Sequence, residues 1–148
     1  MNKKGFTLVE LLGIIVILSL IMFIAIPNIS SLVQKNKRNT YIVDAKKMVS
    51  LVQYDLRKGS KEKPNNGEEV KITLKALSTS DVEKDSDGNE YDLDRSYVKV
   101  TRENGYLIYY VQLVSCENSS CTGIIETKSD NLDSDNKYDY YKDNQNIS

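Results

Sequence analysis

A single carboxylate lies inside the longest apolar run of this chain. The only ionisable side chain in residues 6–26 is Glu10, and Lys3, Lys4 and Gly5 stand immediately before the run. A run of about 20 apolar residues is long enough to cross a bilayer as a helix. A charged side chain within such a span is costly and usually serves a function. Glu10 therefore needs a cationic partner.

Two simpler interpretations leave part of this segment unexplained. A secretory signal peptide also has basic residues before an apolar segment, but here the apolar run is too long and no A-x-A-like cleavage site follows it. A plain single-span anchor explains the length and the lysines but not Glu10. Because Lys3 and Lys4 precede the span, the positive-inside bias predicts a cytoplasmic N-terminus with the rest of the chain outside.

A cut after Gly5 would supply the missing cation. The new α-amino group of Phe6 would lie four residues before Glu10, one turn away on the same helix face. The cut would also remove Lys3 and Lys4, so that this amine would be the only positive charge near the apolar segment.

Residues 5–10 read GFTLVE and are followed by an apolar helix and Pro27, a pattern that resembles the N-terminus of type IV pilins and type II secretion pseudopilins. The resemblance covers roughly the first third of the chain. It implies that a prepilin peptidase cleaves between Gly5 and Phe6 and that Phe6 is then N-methylated, which keeps its amine positive. It also implies that Glu10 of an incoming subunit pairs with the Phe6 amine of a neighbour and sets the axial register of a filament.

The same resemblance implies an α+β, type IV pilin-like fold, in which a long N-terminal helix packs on a small antiparallel β-sheet head. The first half of that helix is expected to span the membrane. Pro27 removes a backbone donor, so the helix either kinks or ends there, although in the family it usually continues. We expect five segments: a leader (1–5), a membrane and filament-core helix (6–27), an amphipathic continuation (28–58), a β-rich head (59–128) and a polar, flexible tail (129–148).

Periodicity supports the helix and the sheet independently. Apolar residues recur at helical spacing after Pro27, namely Ile42, Ala45, Val49, Val52 and Leu56. Two β-branched and aromatic runs, 97–101 and 106–114, flank Asn104-Gly105, a strong hairpin signal. Residues 123–126 can add a third strand, whereas the chain from Ser129 onward has few aliphatic residues and predicts a solvated tail.

Cys116 and Cys121 flank a short turn-rich loop. Outside the cytoplasmic membrane both thiols would meet an oxidising space, which favours a disulfide between them, although a pair of free thiols remains the alternative. Two cysteines without any histidine are too few ligands for a structural zinc. The acidic turn at 85–89 does not match the spacing of an EF-hand loop. We expect no metal and no other cofactor.

These features predict a structural subunit of a type IV pilus and not an enzyme. The implied partners are other pilin subunits, the prepilin peptidase, an assembly platform protein with its ATPase, and membrane lipid before assembly. The protein would begin as a single-pass precursor in the cytoplasmic membrane and end in an extracellular surface filament. Abundant lysine, asparagine, tyrosine and isoleucine resemble the usage of low-GC Gram-positive bacteria.

Two alternatives remain open at this point. A minor pilin or a competence or secretion pseudopilin would use its head to capture a ligand such as DNA, through the basic residues around Lys35 and Lys46. The formal net charge of −1 does not favour a general affinity for nucleic acid. A monomeric membrane sensor or anchor would keep Met1 as its N-terminus.

Overall fold

The computed structural model describes residues 5–77, 81–133, 140–145 and 147. One long helix precedes a five-stranded antiparallel sheet whose strands follow one another in chain order, β1-β2-β3-β4-β5. The α+β arrangement expected from the sequence is thereby confirmed. The elements are α1 (Leu8–Lys58), β1 (Glu69–Thr73), α2 (Leu74–Leu77), β2 (Tyr97–Glu103), β3 (Tyr106–Glu117), β4 (Ser120–Lys128), a 3₁₀ turn (Ser129–Asn131) and β5 (Tyr141–Gln145).

Helix α1 contributes to two compact units, residues 1–35 and residues 36–148. Position 27 lies within α1, so Pro27 does not end the helix. The helix ends at Lys58, where Gly59 adopts a φ of +79°, the left-handed conformation that commonly terminates helices.

The first unit contains an apolar stretch, Leu8–Ala25, with a mean hydropathy of 2.9 and no buried residue. Within the described part of the chain it is the one helical stretch long and apolar enough to cross a membrane. Its side chains therefore need a lipid or protein environment that the isolated chain does not supply.

The core of the second unit lies between α1 and one face of the sheet. The apolar stripe predicted on the helix is buried throughout, and it shares one core with residues from all five strands. The shared core includes Tyr41, Ala45, Met48, Val52 and Leu56 from the helix and Val98, Val100, Val111, Leu113 and Ile124 from the sheet. Burial of this apolar surface is what holds the helix to the strands.

The β2–β3 connection is the predicted hairpin. Asn104 and Gly105 have φ values of +51° and +84°. Two successive residues with positive φ form the type I′ turn, whose twist matches that of the flanking strands.

Strands β3 and β4 approach closely at Gly123, which pairs with Val114. A Cβ atom at position 123 would lie 2.1 Å from the carbonyl oxygen of Leu113. A residue without a side chain is therefore required there.

The expectation of a flexible tail over 129–148 is wrong for the residues that the structure describes. Strand β5 pairs with β4 through Tyr141 and Ile124, and Leu132, Tyr140 and Ile147 are buried. Tyrosine rings supply apolar area that a count of aliphatic residues omits. The head consequently extends beyond residue 128, while Tyr138 and the other residues of 134–139, together with 146 and 148, lie outside the described residues.

Candidate functional site

The Glu10 carboxylate is hydrogen-bonded at the start of α1. It accepts the Thr7 backbone N–H (2.8 Å) and the Thr7 hydroxyl (3.1 Å), both at Oε2. In return the Glu10 backbone N–H donates to Thr7 Oγ1 (3.3 Å). Because α1 begins at Leu8, Thr7 is the N-cap residue and Glu10 the third helical residue. The pair forms a reciprocal capping box, which satisfies two backbone donors that a helix start otherwise leaves open.

This arrangement changes the geometry expected for Phe6. The sequence predicted Phe6 and Glu10 on one helix face, but the helix begins only after Thr7, so Phe6 precedes it. Phe6 is 83% exposed. Our sequence reasoning missed the role of Thr7, although the T-x-x-E spacing of residues 7–10 is a recognisable capping signal.

Gly5 and Phe6 lie in non-helical, exposed chain. No atom lies within 4 Å of the position where a Gly5 side chain would begin. Both residues that flank the predicted cleavage site are therefore exposed. The structure thus brings Thr7 and Glu10 together and leaves Phe6 available for contact with another molecule.

The apolar segment behind Glu10 satisfies its own polar groups. The Ser19 hydroxyl donates to the Ile15 carbonyl oxygen at 2.7 Å, and the Glu10 carboxylate accepts hydrogen bonds from Thr7. Backbone groups in a helix are bonded internally, as an apolar surrounding requires. The exterior is therefore suited to lipid or to other apolar helices.

The predicted disulfide is present. Cys116 and Cys121 are bonded at a directly opposed pair near the end of the β3–β4 hairpin. The Arg95 guanidinium Nη1 lies 3.4 Å from the Cys116 sulfur and 3.3 Å from the Cys121 sulfur. The bridge therefore fastens the end of the hairpin and anchors the segment before β2.

A polar groove of about 660 Å³ lies in the head, with Asp85 at its inner side. The Asp85 carboxylate accepts hydrogen bonds from the Ser115 hydroxyl (2.6 Å), the Tyr41 hydroxyl (3.0 Å) and the backbone N–H groups of Asp87 and Asn89 (2.9 Å each). Burial by itself raises the pKa of Asp85, but these bonds outweigh it and hold the pKa below its usual value. Asp85 is thus a charged acceptor that joins α1, the 85–89 turn and β3.

Hydrogen-bond donors of the protein surround this carboxylate. Elsewhere in the groove, Lys37 pairs with Asp87 at 2.8 Å. The described residues contain no group of three or more His, Cys, Asp or Glu side chains arranged to hold a metal ion. Asp85 and Ser115 are both buried, so this cluster serves to hold α1, the 85–89 turn and β3 together.

Two lysines near the basic runs considered for DNA capture are engaged within the chain. Lys37 forms the ion pair with Asp87, and Lys47 donates to the Asp81 carbonyl oxygen at 3.2 Å. These contacts attach α1 to the 81–94 segment.

Comparison with protein families gives a match at the N-terminus. Residues 1–26 match the family described as the prokaryotic N-terminal methylation motif, which includes Gly5, Phe6 and Glu10. No curated protein and no solved structure matches the chain significantly. The matched motif is not that of an enzyme family. Together with the exposed apolar helix, it fits a membrane-anchored precursor.

Proposed function

We propose that this chain, whose first 26 residues carry the N-terminal signature of type IV pilins and pseudopilins, is a structural subunit of a type IV pilus. One observation carries the proposal: the processing motif leads directly into an 18-residue apolar helical stretch that the chain leaves wholly uncovered. Lipid covers that stretch before assembly, and the helices of other subunits cover it afterwards.

Processing prepares the N-terminus for assembly. In the precursor, Lys3 and Lys4 hold the N-terminus on the cytoplasmic side of the membrane. Prepilin peptidase cuts the exposed bond between Gly5 and Phe6, which removes both lysines and creates an α-amino group on Phe6. N-methylation preserves the positive charge of that amine.

Glu10 then selects the register of each incoming subunit. Thr7 occupies Oε2 of the Glu10 carboxylate, so the Phe6 amine of a neighbouring subunit approaches Oε1. A carboxylate can accept several hydrogen bonds at once. In a dry filament core an ion pair is favourable only when it is well formed, and an unpaired charge is penalised. The pair therefore discriminates between registers more than it adds bulk stability.

An assembly platform and its ATPase move the processed subunit from the cytoplasmic membrane into a surface filament. The apolar helices occupy the filament core, and the sheet-containing units face outward. In this scheme the chain performs no reaction itself. Its work is to be cut, methylated and polymerised.

Mass spectrometry of the N-terminal peptide from sheared surface filaments tests the proposal. We expect a mature chain that begins at N-methylated Phe6. Cells without prepilin peptidase provide the matched control, in which the chain should remain in the membrane with residues 1–5 attached. A chain that keeps its leader in wild-type cells would contradict the proposal and favour a membrane anchor.

A further inference from the structure

The C-terminal end of α1 presents an exposed basic and aromatic surface, which we call the helix-end patch (Tyr54, Arg57 and Lys58). These residues lie three and four positions apart and therefore share one face of the helix. Tyr54 is 55% exposed, and the Lys58 ammonium lies 5.8 Å from the centre of its ring. Neither Arg57 nor Lys58 forms an ion pair among the described residues. The patch thus combines an exposed apolar ring with two uncompensated positive charges.

A second exposed surface has the opposite charge. Glu83, Glu90 and Leu93 line a groove of about 340 Å³ that we call the acidic groove; its remaining lining residues are Val82, Lys84 and Tyr91. Leu93 is 50% exposed, while Val82 and Tyr91 are buried and form an apolar floor. The two glutamates carry more negative charge than Lys84 carries positive charge, so the lining is negative overall. The acidic groove therefore suits a cationic partner that also carries an apolar or aromatic group.

The two surfaces are separated along the helix of a single chain. The acidic segment is held beside the middle of the head helix, because Tyr91 donates to the Asp44 carboxylate (2.8 Å) and Lys47 donates to the Asp81 carbonyl oxygen (3.2 Å). Arg57 lies ten residues beyond Lys47, which is about 15 Å along the axis at 1.5 Å per residue. Complementary surfaces at different places on one chain join copies head to tail, and such contacts build open helical arrays.

We propose that in the filament the helix-end patch of one copy docks into the acidic groove of the next copy. Tyr54 packs against Leu93, and Arg57 and Lys58 lie opposite Glu83 and Glu90. The inference rests on the proposed function, because a helical filament is the assembly that repeats such a contact. The charges select the partner and the register, and the apolar contact excludes water from the centre of the interface.

Cysteine cross-linking within assembled filaments is the first test. The two native cysteines are already bonded to each other, so a chain with Tyr54→Cys and Leu93→Cys adds one thiol to each proposed surface. Mild oxidation of sheared filaments should give a ladder of covalent multimers on a non-reducing gel. The matched control combines Tyr54→Cys with Tyr106→Cys, since Tyr106 is 78% exposed at the β2–β3 hairpin, and should give no ladder. Filaments of the first variant that yield no ladder would overturn the docking.

Charge reversal is the second test. Arg57→Glu with Lys58→Glu should lower the yield of surface filaments by about tenfold or more, and adding Glu83→Lys with Glu90→Lys should restore it, because electrostatic partner choice depends on matched signs. Lys63→Glu with Lys142→Glu makes the same change in net charge at other exposed positions and should leave the yield unchanged. A normal yield after the first reversal, or no recovery in the compensated chain, would contradict the docking.

Failure of this inference is distinguishable from failure of the proposed function. In the first case wild-type filaments carry methylated Phe6 but neither test responds. In the second case the wild-type chain is missing from sheared filaments or keeps residues 1–5.

Discussion

At the scale of single residues, Glu10 bonds Thr7 in its own chain, and under the proposed function it later pairs with the Phe6 amine of a neighbouring subunit. The capping box with Thr7 gives the carboxylate hydrogen bonds inside its own chain, which lowers the cost of holding it at the start of an apolar helix. That bond set does not require cleavage, so it is present before the Phe6 amine exists. Thr7 therefore positions the Glu10 carboxylate, the group on which the proposed assembly depends.

Replacing Thr7 tests the capping box directly. Thr7→Ala removes the side-chain acceptor of the Glu10 N–H and should weaken the helix start by about 1 kcal/mol, the usual value of an N-cap side chain. We expect faster hydrogen exchange at the backbone amides of Glu10 and Leu11, which donate to the Thr7 side chain and carbonyl oxygen, in the full chain in detergent micelles. Thr7→Ser keeps the hydroxyl and should exchange like the wild type. Equal protection in all three chains would show that the box does not stabilise the helix start.

Position 123 has room for glycine only, because the neighbouring strand lies too close for any side chain. An added methyl group would lie 2.1 Å from the Leu113 carbonyl oxygen, so β3 and β4 must separate to accept it. Gly123→Ala should destabilise the full chain by about 1 to 3 kcal/mol, the range for overpacking. Urea unfolding in micelles measures the loss. Gly13→Ala makes the same chemical change where no atom lies within 4 Å and should leave the unfolding midpoint unchanged or raise it.

At the scale of elements, a buried polar network fastens α1 to the sheet. Tyr41 on the helix and Ser115 on β3 both lie within hydrogen-bond distance of the Asp85 carboxylate, and their hydroxyl oxygens are 2.5 Å apart. Each hydroxyl has one proton, which it donates to Asp85. The network holds the 85–89 turn against the helix.

The stability of this junction should depend on pH through Asp85. Its pKa in the folded chain lies below the ordinary value of about 3.9 for an unfolded aspartate. The stabilisation is therefore complete above about pH 4 and is lost as the pH falls through the lower, folded value. Asp85→Asn should reduce the fall in unfolding free energy between neutral pH and pH 2, as followed by urea unfolding of the full chain.

A residual acid dependence is expected in that variant. Burial raises the pKa of Glu126, but hydrogen bonds from Lys99 and Tyr97 outweigh it and hold the pKa below its usual value. The stabilisation from Glu126 is therefore also lost as the pH falls. The exposed Glu103, at the end of β2, provides a control through Glu103→Gln, which should keep the wild-type profile. If the unfolding free energy of Asp85→Asn depended on pH as that of the wild type does, Asp85 would not be a source of the acid sensitivity.

Local sequence signals predicted the parts of the fold that depend on local geometry. Asn104-Gly105 specified the hairpin, and the spacing from Ile42 to Leu56 specified the helix face that is buried. The place of β5 depends on pairing with β4 and on tyrosine packing, and the role of Asp85 depends on contacts 30 to 44 residues away in sequence. Neither has a local signature. The capping box does have one, the T-x-x-E spacing of residues 7–10.

At the scale of the whole molecule, the proposed processing and assembly use adjacent but separate groups. The proposed cleavage site between Gly5 and Phe6 precedes the helix, whereas Glu10 lies within it. A bulky side chain in Gly5→Trp should block the cut, so the chain should remain in the membrane at full length. A normal mature mass in that variant would exclude this cleavage site.

Glu10→Ala should have the opposite consequence. The bond after Gly5 stays accessible, so the variant should be cut and methylated at Phe6, but its helix offers no carboxylate to the amine of a neighbouring subunit. The amine then enters an apolar core without its counter-charge, which is strongly penalised, and the yield of sheared filaments should fall by about tenfold or more while processed subunit accumulates in the membrane. Comparing the Phe6 methylation of membrane and sheared fractions by mass spectrometry separates a defect in assembly from one in processing. Normal filament yield from this variant would contradict a register function for Glu10, since the helix start would then tolerate an unpaired amine in every subunit.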